Sequence, residues 1–369
     1  MERSCRALIA ERIRQEGPIT AAAFMELALY APEAGYYARA ARRSGRAGDF
    51  FTSVDVGPLF GTLLASRLAE LWAELGPGGR GPDCIDLVEA GAGDGRLSLD
   101  VLDAAAQRHP DFYRAISLHL VERSDAARAA HPAAFKAHRA HLTSSAAALP
   151  PSFDGVLFAN ELLDAFPVHV VQMTRGGLAE IYVDADGETL VERPGPPSTP
   201  ALAAYLADAG VTLQPGWRAE VNLQAVAWIG EAARKLRRGF LLLIDYGYEA
   251  AELYSGMHAR GTLASFHHHL LDPPAAADPL APAWLADPGS RDLTSHVDLT
   301  SVRRAAERAG LEAVSVTDQT RFLLDVLERA TLMAELADEG RAAERLALKT
   351  LVMPGGLGST HKVMLLAKR

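Results

Sequence analysis

From Cys84 onward the sequence alternates in kind: "CIDLVEA", "GRLSLDVLDAAAQRH", "AISLHLVE", "SDAARAAHPAAF", "SFDGVLFAN". Short apolar runs and amphipathic stretches in this succession read as strand, helix, strand, helix, strand. A chain ordered that way builds a parallel sheet with helices crossing over it. The rhythm breaks at "VHVVQMTRGGLAEIYVDADG", an antiparallel hairpin turning at Gly176 and Gly177, and a proline-rich linker, "RPGPPSTP", follows. It returns with a helix around Asn222 to Leu236 and the apolar strand "GFLLLIDYG". Tyr248 to Gly289 has little period and reads as a looped excursion. A helix near Asp298 to Ala309, the strand "LEAVSVTD", a helical stretch from Arg321 to Leu348 and the strand "KVMLLAK" close the chain. Upstream, helices are expected from Ser4 to Arg14, from Thr20 to Leu29, and from Val56 to Leu75. Between the second and third lies an irregular loop, Ala31 to Ser53, whose aromatics Tyr36, Tyr37, Phe50 and Phe51 favour order.

Length and composition exclude several classes. The 369 residues, 49% hydrophobic and 22% charged, suffice for two lobes around large cores. A net charge of −9 without a basic stripe argues against nucleic acid. No run approaches the roughly 18 apolar residues that would suggest membrane insertion. Two cysteines, Cys5 and Cys84, make neither a disulfide framework nor a metal site. The N-terminus has no apolar signal core, and Glu2 and Glu11 speak against a transit peptide, so a cytoplasmic setting is expected. The triplet His267, His268 and His269 is read as surface or packing histidines, because adjacent residues of one strand do not converge on an ion, and no metal is expected.

The first strand runs straight into "EAGAGDGRL". A strand that turns at once into a helix leaves the helix's first N–H groups pointing outward, and glycines let a ligand approach the backbone. Gly91, Gly93 and Gly95 lack the G-x-G-x-x-G spacing of a dinucleotide site. The acid Glu89 could receive the cationic end of a ligand. E-x-G-x-G-x-G is the form common in S-adenosylmethionine-dependent methyltransferases. Glu122, at the end of the next strand, is placed to accept ribose hydroxyls. A glycine turn that links strand to helix and binds nothing is the plain alternative.

The second constellation is "FANELLDAFPVHVV". Asn160 and Glu161 follow an apolar strand at the carboxyl end of the sheet, where ligands of open α/β folds bind. There an amide or carboxylate can hold a substrate N–H and align a nitrogen with a transferable methyl. If a helix begins at Asn160, Asp164 lies on the same side as Glu161. Asn160 is equally well read as a helix N-cap with Glu161 as a first-turn acid.

Taken with "ITAAAFMELALYAPEAGYY", "GDFFTSVDVGPLFG", "LLLIDYGY", "GTLASFHHH", "PGSRDLTSHVDLTSV", "DQTRFLL" and "LGSTHKVMLLAK", these motifs resemble the MidA-like (DUF185) family of S-adenosylmethionine-dependent methyltransferases over nearly the whole chain. Its mitochondrial members are arginine methyltransferases that assist assembly of respiratory complex I. The resemblance implies an α/β fold: a Rossmann-like class I methyltransferase sheet with a helical N-terminal segment and an inserted second lobe. The expected division is 1–80, the N-terminal helices with a loop covering the cofactor; 81–250, the core, with a hairpin insertion near 168–200; 251–298, a substrate-lobe excursion; and 299–369, the end of the core with a helical insertion at 321–350. S-adenosylmethionine would lie on Glu89, Gly91, Gly93, Gly95 and Glu122 and reach Asn160, with Asp49, Phe50, Thr52 and Ser53 closing over it. Asn160, Glu161 and Asp164 would face the acceptor, and Asp292, Thr294, His296 and Asp298 would line the other side. For His296 a structural hydrogen bond in a turn stands beside a role as base. The expected reaction is methyl transfer to an arginine of a protein partner, Glu161 with Asp164 or Asp298 pairing the guanidinium. Ala264 after "GTL" and the added "AAADPLAPAW" depart from the family pattern in the second lobe. They keep two other readings in view: a small-molecule methyltransferase, and a non-catalytic assembly chaperone on the same fold.

Overall fold

The computed structural model describes residues 4–39, 52–267, 270–271, 282–353 and 356–369. The chain divides into two compact units, each discontinuous in sequence: residues 51–162, 230–246 and 306–369 form one, and 1–50, 163–229 and 247–305 the other. This differs from the expected division, in which 81–250 is one core. Residues 163–229, hairpin included, belong with the N-terminal helices and the 251–298 excursion.

The first unit is built on a sheet whose strands we number in chain order: β1 Ile85–Ala90, β2 Ile116–Val121, β3 Leu142–Ala146, β4 Phe153–Asn160, β5 Leu236–Tyr248, β6 Glu312–Asp318 and β7 His361–Lys368. Their spatial order is β6-β7-β5-β4-β1-β2-β3. All pairings are parallel except those of β7, which runs antiparallel to both β5 and β6. The central strands are apolar on both faces because helices cover both, as in β4, where Val156 to Ala159 are all buried. Because β1, β2, β4 and β5 are parallel, their carboxyl ends emerge at one edge, and every loop that matters below leaves from it. The helices Pro58–Glu74 and Arg96–Arg108 pack so closely that a Cβ on Gly61 would sit 2.4 Å from Cβ of Asp100. The helical stretch expected from Arg321 to Leu348 contains three α-helices, Gln319–Arg329, Leu332–Leu336 and Ala342–Val352. The first break falls where Thr331 takes a left-handed conformation, φ 56°.

The second unit opens with the helices Cys5–Glu16 and Ala21–Tyr30, whose N-caps Ser4 and Thr20 accept from the backbone three residues on. These helices share a core with an antiparallel sheet containing the hairpin His169–Thr174 and Gly177–Asp186. The stretch 251–298 is not wholly irregular. Ala264–His267 pairs with both Leu270–Leu271 and Asp292–Thr294. Among the described residues no helix is long and apolar enough to cross a membrane.

Candidate active site

The glycine turn leaves β1 at the middle of the sheet. Gly91 and Ala92 donate their N–H groups to the carbonyl of Val121, at 2.9 and 3.1 Å, which closes the turn onto the end of β2. Two glycines are demanded for different reasons. Gly95, φ 83°, has no room: a Cβ would lie 2.6 Å from Cε2 of Phe135. Gly93, φ 53°, has nothing within 4 Å of its would-be Cβ, so there the left-handed backbone lies open to an incoming group. Gly93 N–H donates to Glu122 Oε2 at 2.8 Å, and Ser124 N–H to Oε1 at 2.7 Å. Each carboxylate oxygen retains a second lone pair, so Glu122 can hold the turn and still accept hydroxyls.

Glu89 is 4% exposed and accepts from the hydroxyl of Ser98. Burial pushes its carboxyl up to about 8, Asp94 and Glu122 add to the rise, and the Ser98 bond opposes it. Without a ligand the group is therefore mainly neutral at physiological pH, and it becomes an anion when a cation approaches. A residue that pattern reading missed braces the turn from behind. Fully buried His131 donates from Nε2 to the Gly93 carbonyl at 2.8 Å and accepts at Nδ1 from Ser145 Oγ at 2.8 Å. The carbonyl can only accept, which fixes this tautomer. Nothing in the spacing of "AAHPAAF" marks this histidine.

At the end of β4 the structure corrects one reading. No helix begins at Asn160: it is the last residue of the strand, paired opposite Ile244. Asn160 is thus no N-cap, and Asp164 is not brought to Glu161 by helical spacing. Glu161 takes a left-handed conformation, φ 51°, uncommon for a residue with a side chain and a mark of a constrained site. Two neighbours impose it, since Glu161 N–H donates to the Ile244 carbonyl at 2.8 Å and Leu162 N–H to Asp245 Oδ2 at 3.0 Å. The Glu161 side chain is 8% exposed, and its Oε1 collects Asn160 Nδ2 at 3.1 Å, Ser53 N–H at 3.4 Å and His361 Nε2 at 3.3 Å. All three lie on one oxygen, which leaves Oε2 to turn elsewhere. Asn160 Oδ1 is buried without a hydrogen-bond partner. Ser53 is wired in place by its hydroxyl, 3.1 Å from Gln319 Oε1, while Thr52 caps a short 3-10 turn and donates to Asp55 Oδ2 at 3.0 Å. Asp49 and Phe50 lie outside the described residues.

The second unit carries the remaining candidates. Asp164 is 4% exposed and Asp292 5%. Asp292 accepts from the Tyr37 hydroxyl at 2.9 and 3.0 Å. Burial, then the charges of Asp292 and Asp164, hold the Tyr37 phenol far above its ordinary range, so it keeps the proton it donates to Asp292. Thr294 ends the short strand Asp292–Thr294. His296 donates its backbone N–H to Thr262 Oγ1 at 3.0 Å, and its ring centroid lies 5.2 Å from Tyr248 and 6.0 Å from His258. Burial first, and then His258, depress it to about 4. The ring is therefore neutral at neutral pH and a weak proton acceptor, and its Nδ1 is buried without a hydrogen-bond partner. Asp298 caps the helix Leu299–Arg308. Its Oδ1 accepts Ser301 N–H at 3.0 Å and its Oδ2 the Ser301 hydroxyl at 2.6 Å, and it is 3% exposed. These bonds give Asp298 a structural role at the start of that helix. Of the histidine triplet, His267 ends a strand, and His268 and His269 lie outside the described residues. Among the described residues no group of three His, Cys, Asp or Glu could hold a metal.

Comparison with known proteins decides the family. Residues 63–317 match the family described as "Putative S-adenosyl-L-methionine-dependent methyltransferase". The chain belongs to that family. A Drosophila melanogaster relative, the mitochondrial protein arginine methyltransferase NDUFAF7 homolog, is 28% identical over 96% of this chain and 82% of its own length. Its Mus musculus counterpart, protein arginine methyltransferase NDUFAF7, is 28% identical over 91% and 77%. A Burkholderia thailandensis protein crystallised with S-adenosyl-homocysteine shares the fold with a TM-score of 0.85 at 29% identity, covering 99% of this chain and 92% of that one.

For a methyltransferase of this family the turn and its acids fit the cofactor. The open backbone at Gly93 offers close approach, Glu122 offers acceptors for ribose hydroxyls, and Glu89 offers a latent anion for the ammonium. The unpartnered Asn160 Oδ1 is a buried acceptor at the same edge of the sheet, ready for a donor from a ligand.

Proposed function

We propose that this protein transfers a methyl group from S-adenosylmethionine to a guanidinium nitrogen of an arginine in a protein partner. One observation carries the acceptor: a carboxylate, Glu161, is held in a left-handed turn at the carboxyl end of β4, with the donors Asn160 Nδ2 and Ser53 N–H both on Oε1. A charge so anchored, with its other oxygen unclaimed, suits a planar cation that offers parallel N–H groups. The relatives named as protein arginine methyltransferases support the same acceptor. S-adenosylmethionine, when bound, supplies an electrophilic methyl on a sulfonium. The chain's own task is orientation: Glu161 pairs the guanidinium, Asn160 fixes the plane of its N–H groups, and the apolar end of β4 keeps water away.

The test combines label and variant. Purified protein is incubated with isotope-labelled S-adenosylmethionine and a lysate of cells lacking it, and mass spectrometry locates the label. Methylated arginine in protein is the expected result. Glu161→Gln should lower labelling at least a hundredfold and leave S-adenosylhomocysteine affinity within twofold, since the amide keeps shape and loses charge. Label on a small molecule, or parental labelling by Glu161→Gln, overturns the reading.

A further inference from the structure

The carboxyl edge of the first sheet presents its side chains in spatial order. From β2 through β1 and β4 to β5 come Glu122, the glycine turn, Glu161 and then Tyr246. Ile244 pairs opposite Asn160, so Tyr246 stands two residues beyond that level at the same edge. Glu161 thus has the turn and Glu122 on one side and Tyr246 on the other. On the Tyr246 side lies a cavity of about 600 Å³, lined from the helix Ala342–Val352 and the short helix Leu357–Thr360; its wall includes Tyr246, Leu346, Lys349, Met353, Leu357 and Thr360. All these residues belong to the first unit. The Tyr246 ring packs 3.9 Å, centroid to centroid, from that of His361, and His361 Nε2 is 3.3 Å from Glu161 Oε1, so one imidazole separates the cavity wall from the carboxylate. Two or three residues of extended chain, at about 3.3 Å each, span such a gap. The lining says what fits. Leu346 and Met353, 66% and 45% exposed, face one cavity together, and gathered apolar surface of that kind favours an apolar partner. Lys349 is exposed, is the one charged residue of the lining, and has no ion pair among the described residues. Glu344, the one acid of its helix, is paired with Arg341 at 3.0 Å.

We propose that this cavity holds the stretch of the protein partner that flanks the target arginine, and that it selects an apolar side chain next to an acidic one, two or three residues from that arginine. The proposal rests on the arginine reading above and names the sequence class of its acceptor. The apolar side chain covers Leu346 and Met353, its acidic neighbour meets Lys349, and the arginine reaches Glu161. The size of the cavity suits more than one side chain, since sites of about 300–1,000 Å³ hold groups as large as a drug molecule. An exposed ion pair contributes little by itself, but at the rim of an apolar contact it fixes register and rejects the wrong charge. The apolar side chain therefore supplies the greater part of the affinity, and Lys349 supplies discrimination.

Fluorescein-labelled peptides with one central arginine test this by anisotropy, on the full chain with S-adenosylhomocysteine bound. One set carries Leu-Asp at two and three residues from the arginine, on its N-terminal or its C-terminal side; controls replace Leu by Ser, Asp by Lys, or both. On one of the two sides the Leu-Asp peptide is expected to bind the parent about tenfold more tightly than its Ser control. Leu346→Ser should erase that gain. Lys349→Glu should reverse the charge preference, so that Leu-Lys binds better than Leu-Asp. Both positions are exposed, and retained S-adenosylhomocysteine affinity reports that each variant is folded. Peptides that bind equally or not at all, or a charge preference that survives Lys349→Glu, overturn the role of the cavity. Labelled S-adenosylmethionine judges the chemistry separately. Preferred peptides that bind and stay unmethylated overturn the arginine reading and leave the preference standing; methylation without preference does the reverse. A parent that sediments as a dimer, split by Leu346→Ser, makes the cavity a surface between copies and overturns the proposal.

Discussion

Glu89 is a buried acid through which cofactor binding is expected to depend on pH. Its carboxyl is raised to about 8 against an ordinary 4.5. An acid raised in the fold keeps a proton the unfolded chain has lost. The stability it contributes is therefore present at low pH and is lost as pH climbs from 4.5 through about 8. A cationic cofactor end beside it reverses the preference and expels the proton. Calorimetry of S-adenosylhomocysteine binding at pH 7, in two buffers of different ionisation enthalpy, should show close to one proton fewer released by Glu89→Gln than by the parent. His131 makes a second prediction. Truncation to Ala removes two partly buried hydrogen bonds, to the Gly93 carbonyl and the Ser145 hydroxyl, each with a net worth of about 0.5–1.5 kcal/mol. His131→Ala should thus lower both the denaturation midpoint and cofactor affinity, and His131→Gln, which keeps a donor for the carbonyl, should recover part of each. Equal affinity in all three proteins would show that the turn does not need this brace.

At the scale of elements, the helix Leu299–Arg308 separates a structural acid from a catalytic one. Asp298 satisfies two donors of its first turn, and loss of such a cap costs about 0.5–2 kcal/mol. Asp298→Ala should shift the urea midpoint accordingly, while Asp298→Asn, also a good cap, should keep most of the stability and nearly all the methyl transfer. A hundredfold loss of turnover in Asp298→Asn at parental stability would restore the catalytic assignment. The turn after β4 teaches the converse lesson. "NELLD" carries good helix-start residues, but the N–H groups of Glu161 and Leu162 are claimed by the Ile244 carbonyl and Asp245. Those partners sit more than eighty residues away in sequence, and a local reading cannot see them.

For the molecule as a whole, a ligand that binds only the folded chain stabilises it by mass action, by about 2.7 kcal/mol at one hundred times its dissociation constant. S-adenosylhomocysteine should therefore raise the melting temperature of the parent by several degrees. Gly93→Val should abolish most of that rise, because its side chain would occupy the open space at the turn, while the left-handed backbone also lowers the unliganded melting point. A variant that keeps the full ligand-induced rise would move the cofactor away from Gly93.

What the sequence determined by itself was whatever repeats along the chain or recurs at fixed spacing. The strand–helix alternation, the helix starts at Ser4 and Thr20, the hairpin at Gly177 and the acids Glu89 and Glu122 flanking a glycine turn all express short-range geometry, and the structure has each of them. Tertiary structure decided what depends on partners distant in sequence. It joined residues 163–229 to the N-terminal helices, denied Asn160 its helix, made Asp298 a cap and brought His131 behind Gly93. It also set His361, exactly two hundred residues on, against Glu161. The physical reason is common to all of these: a helix or strand is selected by the period of its own side chains, but a buried polar group must be satisfied by whichever chain folds against it.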